Sequence, residues 1–260
     1  MIQEHFIRNI LTVIKADDTI TGLTVGGSWL TNEMDEYSDL DLILVTKEKV
    51  SDNREMMFSY ARSFGKFLSG FTGEHVGEPR LLICLYDDPL LHVDIKFLTL
   101  TEFYSRVEDP AILHDTDGQL EKILSETAAR YQLPDYQWME DRFWIWIHYA
   151  TLKIGRGEWM EALDFFAFIR MTILGPLLQI KNGQLPRGVR KVETGLVKPD
   201  LEKLILTIPV YERAAIITAL KNSIILYDEL SKQLFGEDIK RQTETATKAI
   251  EYLRTVEEKK

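Results

Sequence analysis

Residues 25–45 read VGGSWLTNEMDEYSDLDLILV and place two aspartates, Asp39 and Asp41, two apart in a segment that alternates polar and apolar. Side chains of a strand leave on alternate faces, so both carboxylates emerge on the same side. Such a pair offers hard oxygen ligands to one or two divalent cations. Magnesium prefers an octahedron of oxygens completed by water and phosphate, so two bare aspartates suit a Mg2+ ion that arrives with a phosphorylated substrate. Upstream, Gly26-Gly27-Ser28 follows a short β-branched strand, ITGLTV, and opens a helical turn. There the backbone N–H groups and the Ser28 hydroxyl can approach phosphate oxygens, and a larger residue at Gly26 or Gly27 would block that approach. A third carboxylate, Asp94, lies in LLHVDIKFL among Leu91, Val93, Ile95 and Phe97. An ionised group in such a strand is costly unless it faces a metal or a partner. The plainer alternatives are a simple Gly-Gly turn and an edge-strand charge open to water; what gives the signal its specificity is the combination, in this order and spacing.

The elements that position these residues follow from periodicity. Ile2, Phe6, Ile10 and Ile14 recur four apart, the stripe of an amphipathic helix over residues 2–15. The segment DLDLILVT alternates as a second strand, and a helix is expected over residues 54–68. Residues 80–100 read as two strands joined at Asp87-Asp88-Pro89, a turn-forming cluster, and ILHDTDGQL adds one short strand. From Glu102 onward the period changes. Residues 138–152 are apolar on nearly every side, which predicts a helix buried within a bundle and ending at Gly155-Arg156-Gly157. A further helix runs through Trp159, Leu163, Phe166, Arg170 and Ile173 and bends or stops near Gly175-Pro176. Helices over residues 211–234 and 238–256 complete the second half. The expected fold class is α+β: an N-terminal mixed β-sheet with flanking helices over residues 1–125, then a C-terminal α-helical bundle domain over residues 126–260.

Composition narrows the partners. With 45% apolar and 28% charged residues the chain of 260 is of ordinary globular type. The formal net charge of −10 would repel a nucleic-acid backbone, so no nucleic-acid partner is expected, and an acidic chain suits a cationic small molecule. No run approaches the ~18–20 apolar residues of a membrane-crossing helix, and the N-terminal segment carries Glu4, Arg8 and Lys15 without a small-residue cleavage site, so the reading is cytoplasmic with no membrane partner. The single cysteine, Cys84, sits in LLICLY as a core filler.

The pattern of Gly-Gly-Ser, ten residues, Asp-Leu-Asp and a later aspartate on its own strand resembles the DNA polymerase β-type nucleotidyltransferase superfamily over roughly residues 20–98. The resemblance implies that Asp39 and Asp41 bind both magnesium ions, that Asp94 binds one and acts as base, and that Gly27 and Ser28 lie at the phosphates, next to Gly26 of the same turn. The segments ILHDTDGQL, LKIGRGEWMEAL and RGVRKVE are similar to the helical second domain of bacterial antibiotic adenylyltransferases of the aminoglycoside and lincosamide type. That likeness implies AMP transfer from ATP to a hydroxyl of a small acceptor with release of pyrophosphate. The alternative is a non-catalytic nucleotide-binding or regulatory module of the same fold. In-line attack at phosphorus is served by two cations ~3.5–4 Å apart that stabilise the entering and departing oxygens, which is why carboxylates dominate such a site.

Other residues carry weaker signals. Lys153, Arg156, Arg187, Arg190 and Lys191 could neutralise a triphosphate from the helical half, against the default of solvated charges; Lys153 is singled out because it follows the buried helix and resembles a phosphate-contacting lysine of the antibiotic-modifying enzymes. Glu158 and Glu161 could hold a cationic acceptor or assist as base, against the plainer reading of acids that favour a helix N-terminus. His92, His114 and His148 show no zinc-ligand spacing, and Trp138, Trp144 and Trp146 read as core rather than as a stacking platform.

Overall fold

The computed structural model describes residues 1–259, which divide into two compact units, Met1–Gln132 and the residues from Leu133 onward. In the first, helix α1 (Ile2–Ile14) precedes strands β1 (Ile20–Val25) and β2 (Leu40–Thr46); helix α2 (Arg54–Ser63) follows, then β3 (Lys66–Gly73), β4 (Glu78–Asp87) and β5 (Leu91–Leu98). A short α3 (Leu100–Phe103), β6 (Ala111–Asp115) and α4 (Gln119–Glu126) close the unit. The six strands form one mixed sheet in the order β3-β4-β5-β2-β1-β6, in which β2 and β5 are parallel and every other neighbouring pair is antiparallel.

Alternation decides what each face does. Leu40, Leu42 and Leu44 of β2 and Leu91, Val93, Ile95 and Phe97 of β5 point to one side, where they pack under Ile7, Ile10 and Ile14 of α1 and Met57, Phe58 and Ala61 of α2. The other face is covered at the β1–β6 end by α4, whose Leu120 and Ile123 join Val45, Leu98 and Phe103. Gly22 permits that approach, since a Cβ there would stand 2.3 Å from Leu120 Cδ1 and 2.8 Å from the His114 carbonyl oxygen. Cys84 is a buried member of the first cluster, and burial pushes its thiol up to about 12, so it is inert filler as expected.

The expected helix over residues 54–68 overran. It ends at Ser63 and gives way to β3, an edge strand whose two glycines and loose alternation hid it from a periodicity reading. Beside it, Arg80 and Lys96 on β4 and β5 clasp Glu78 at 2.7 Å each. The hydrogen bond from the Arg80 guanidinium leads the causes that hold the Glu78 carboxyl at about 2.

The second unit is helical: α5 (Tyr136–Arg156), α6 (Trp159–Ile169), α7 (Gly175–Lys181), α8 (Val192–Gly195), α9 (Lys198–Ile205), α10 (Arg213–Leu234) and α11 (Thr243–Glu258). Its core gathers Phe143 and Ile147 of α5, Phe166 of α6, Leu177 of α7 and Leu220 and Tyr227 of α10. Helix α5 ends where expected, on Gly157 in the left-handed conformation. It is not buried all round, however: Ile145, Trp138 and Tyr149 are exposed, and the outer aromatics instead pack on one another, Trp138 on Trp146 and Trp146 on Phe168. The bend near Gly175-Pro176 takes the form of a π-helical segment, Arg170–Leu174, so that α6 and α7 run on as one helix, Trp159–Lys181. By length and composition alone, with a mean hydropathy of 1.5 over an 18-residue window, it is long and apolar enough to cross a membrane. Half of that window is buried in the helical core, which is why it is so apolar. Helix α9 was not foreseen, and α11 begins at Thr243 rather than residue 238, where the buried Glu140 of α5 accepts from the Gln242 amide at 2.8 Å.

Glu140 also accepts the Tyr227 hydroxyl at 2.6 Å and has Arg241 at 3.6 Å. Tyr227→Phe leaves this buried carboxylate short of one donor and is expected to cost about 1–3 kcal/mol in denaturant unfolding. On the sheet, the depressed Glu78 carboxyl adds stability that is present above the unfolded carboxylate's 4.5 and lost as pH falls towards 2. Glu78→Gln is therefore expected to flatten the acid limb of a melting-temperature profile between those values and to leave its neutral limb lower than wild type.

Candidate active site

The parallel pairing of β2 with β5 sets Asp41 opposite Asp94 as register partners. Each lies between buried apolar neighbours that face the other way, so the two carboxylates stand on the same face of adjacent strands. Asp39 comes two residues before Asp41, just ahead of the strand. All three are half-buried. Among the described residues no three His, Cys, Asp or Glu side chains form a group that would hold a metal ion as they stand. What the backbone brings together is the Asp41–Asp94 pair, with Asp39 close in sequence at its edge. The donor set still fits a hard divalent cation, because it is oxygen-only and leaves most coordination positions to water and phosphate oxygens.

The glycine turn is tied directly to this pair. The Gly26 amide donates to the Asp41 carbonyl at 2.9 Å, which folds the turn back over β2. Gly27 adopts φ +62, and a Cβ there would lie 2.0 Å from Asp41 Oδ2. Glycine is thus required at this position twice, for its left-handed backbone and for the space the carboxylate occupies. Ser28 continues a single 3-10 turn, Gly27–Trp29, as the sequence predicts. The loop that leads to Asp39 is held from α1: the buried Gln3 donates to the carbonyl oxygens of Asp35 at 2.9 Å and Ser38 at 2.8 Å.

Two polar contacts escaped the sequence reading. His92 Nε2 lies 2.8 Å from Asp94 Oδ1. The His-x-Asp spacing on a strand puts both on one face, so the spacing itself makes this contact legible. The second is Glu108, from the loop after α3, whose Oε1 accepts from the Gly27 amide at 3.0 Å. Eighty-one residues separate the two, and no local pattern announces the contact. Lys153 lies in the second unit, where it bridges Glu158 at 2.8 Å and Glu161 at 2.9 Å. The hydrogen bond to Glu158, with that to Glu161, raises it above the usual lysine range. Glu161 also accepts the Tyr149 hydroxyl. Of the tryptophans, Trp144 is core as expected, whereas Trp138 is exposed under the Arg142 guanidinium.

Residues 7–114 match the model of the nucleotidyltransferase domain family. The N-terminal unit therefore carries a nucleotidyltransferase domain, the domain of a nucleotidyl-transferring enzyme, and the α+β fold class is as expected. Three solved structures are similar to the chain, each at 14% identity. They are an aminoglycoside 6-adenyltransferase from Bacillus subtilis (TM-score 0.44, 97% of each chain covered), a nucleotidyltransferase-like protein from Exiguobacterium sibiricum (0.40, 98% of this chain and 89% of that one) and a spectinomycin adenyltransferase from Enterococcus faecialis with ATP and spectinomycin (0.32, 97% and 98%). No curated protein matches the chain.

Gly27→Ala forces the Asp41 carboxylate aside, and nucleotidyl transfer is expected to fall about 100-fold. Gly77 is the control: it has φ +77 and nothing within 4 Å of an added Cβ, so Gly77→Ala carries the backbone strain alone. Transfer rates of the two variants, measured beside their melting temperatures, separate loss of the carboxylate's seat from loss of fold.

Proposed function

We propose that this protein transfers a nucleoside monophosphate, AMP from ATP, to a hydroxyl of a small acceptor and releases pyrophosphate. The observation that carries the reading is the register of Asp41 against Asp94, with Gly27 at positive φ above Asp41. The nucleotidyltransferase domain match over residues 7–114 supports the same chemistry.

Asp39, Asp41 and Asp94 would hold magnesium that comes with the triphosphate. Bound there, the cations would neutralise phosphate charge and polarise the entering and departing oxygens. Asp94 takes the proton from the acceptor hydroxyl, and His92 holds its Oδ1 so that the carboxylate is presented in one orientation. Gly26, Gly27 and Ser28 give the triphosphate a close approach to backbone, with the Gly27 amide as donor. The net charge of −10 favours a cationic acceptor, so aminoglycosides and lincosamides head the panel to be tried.

Asp41→Asn and Asp94→Asn are expected to lower pyrophosphate release by roughly 1,000-fold or more with melting temperatures close to wild type. Turnover within tenfold of wild type in either variant, with magnesium present and an acceptor that supports reaction, overturns the mechanism. Mg-ATP binding by calorimetry without pyrophosphate release over the whole acceptor panel identifies a nucleotide-binding module instead.

A further inference from the structure

The carboxylate on the Gly27 amide is presented by a braced loop. Arg106, whose side chain is 3% exposed, donates to Asp109 Oδ1 at 2.6 Å, to Thr127 Oγ1 at 2.7 Å and to the Thr127 carbonyl at 2.6 Å. The Arg130 amide in turn donates to the Arg106 carbonyl at 2.9 Å. Two residues beyond Arg106, Glu108 reaches back over the glycine turn. Its Oε1 accepts from Gly27 at 3.0 Å and lies 2.8 Å from the point where a Cβ on Gly26 would stand. Glu108 therefore occupies the donor that a phosphate oxygen would take, beside the Asp41 carboxylate that crowds Gly27 from the other side.

We propose that Glu108 is a carboxylate placeholder for the triphosphate: it keeps the Gly27 amide until an incoming nucleotide displaces it, and so makes nucleotide entry depend on divalent cations. The inference rests on the reading of the site given above. A metal-free triphosphate brings further negative charge to a turn already flanked by Glu108, Asp41 and Asp94, and it must break a hydrogen bond strengthened by the carboxylate's charge. A cation-loaded triphosphate meets the aspartates as partners, and only the Glu108 side chain has to turn away because Arg106 holds the backbone. The placeholder also protects the empty site, since the amide stays hydrogen-bonded and small anions have nothing to gain by taking it.

The test is calorimetry of the full chain with ATP plus magnesium and with ATP plus a chelator, for wild type, Glu108→Gln and Glu108→Ala, with melting temperatures alongside. Glutamine keeps an acceptor oxygen for the Gly27 amide and removes only the charge, so it guards against loss of fold. Wild type is expected to bind Mg-ATP and to show no binding of metal-free ATP. Both variants are expected to bind Mg-ATP about tenfold more tightly, the shift that removing a charge-assisted competitor should give, and to gain measurable binding of metal-free ATP. Unchanged Mg-ATP affinity in both variants overturns the proposal, and so does weaker binding, which would make Glu108 a cation ligand. Wild-type binding of metal-free ATP as tight as that of Mg-ATP overturns it as well. If none of the three proteins binds nucleotide in either buffer, the functional reading itself fails and takes the placeholder with it.

Discussion

Asp41 and Asp94 are like charges set side by side on neighbouring parallel strands. Left to themselves they would push β2 and β5 apart or out of register. What holds them is the opposite face: Leu40, Leu42 and Leu44 on one strand and Val93, Ile95 and Phe97 on the other are buried under α1 and α2. A slip of one residue would turn that apolar set towards the carboxylate face and bury the aspartates, at a cost far above the repulsion between two half-exposed acids. The hydrophobic effect on one side of the sheet thus maintains an electrostatic tension on the other.

The polar groups round the pair answer the same tension. The glycine turn bends back onto β2 through its Gly26 amide and leaves no room for a side chain between Gly27 and Asp41. His92 engages Asp94, and Glu108 engages the Gly27 amide, from a loop that Arg106 anchors to the end of α4. Gln3 of α1 ties down the loop before Asp39, so the helix that buries the core face also steadies the approach to the carboxylates.

The helical unit solves a different problem with similar means. Its core places a charged residue, Glu140, among aromatics and satisfies it with Tyr227, Arg241 and the Gln242 amide, which joins α5, α10 and the start of α11 at one point. Burying a carboxylate is tolerable only with such a full set of partners. On its surface, Lys153 with Glu158, Glu161 and Tyr149 forms a polar cluster, and the half-buried Phe165 ring packs against Tyr149.

By itself the sequence determined the local patterns: the amphipathic stripe of α1, the alternation of β2 and β5, the turn at Asp87-Asp88-Pro89, the glycine end of α5, and the two-residue spacing of Asp39 and Asp41 at the start of β2. These are set within a few residues by backbone geometry and burial, so a linear reading reaches them. It faltered where a local period was ambiguous, running the α2 helix on into the first residues of the glycine-bearing edge strand β3 and taking the one-sided burial of α5 for burial all round. Only the tertiary structure decided that β2 and β5 pair in parallel with Asp41 opposite Asp94, and that Glu108 comes to Gly27 from eighty-one residues away. Those contacts are fixed by the packing of whole helices against a whole sheet, and the information for them is spread over every residue of the core rather than carried by the residues that meet.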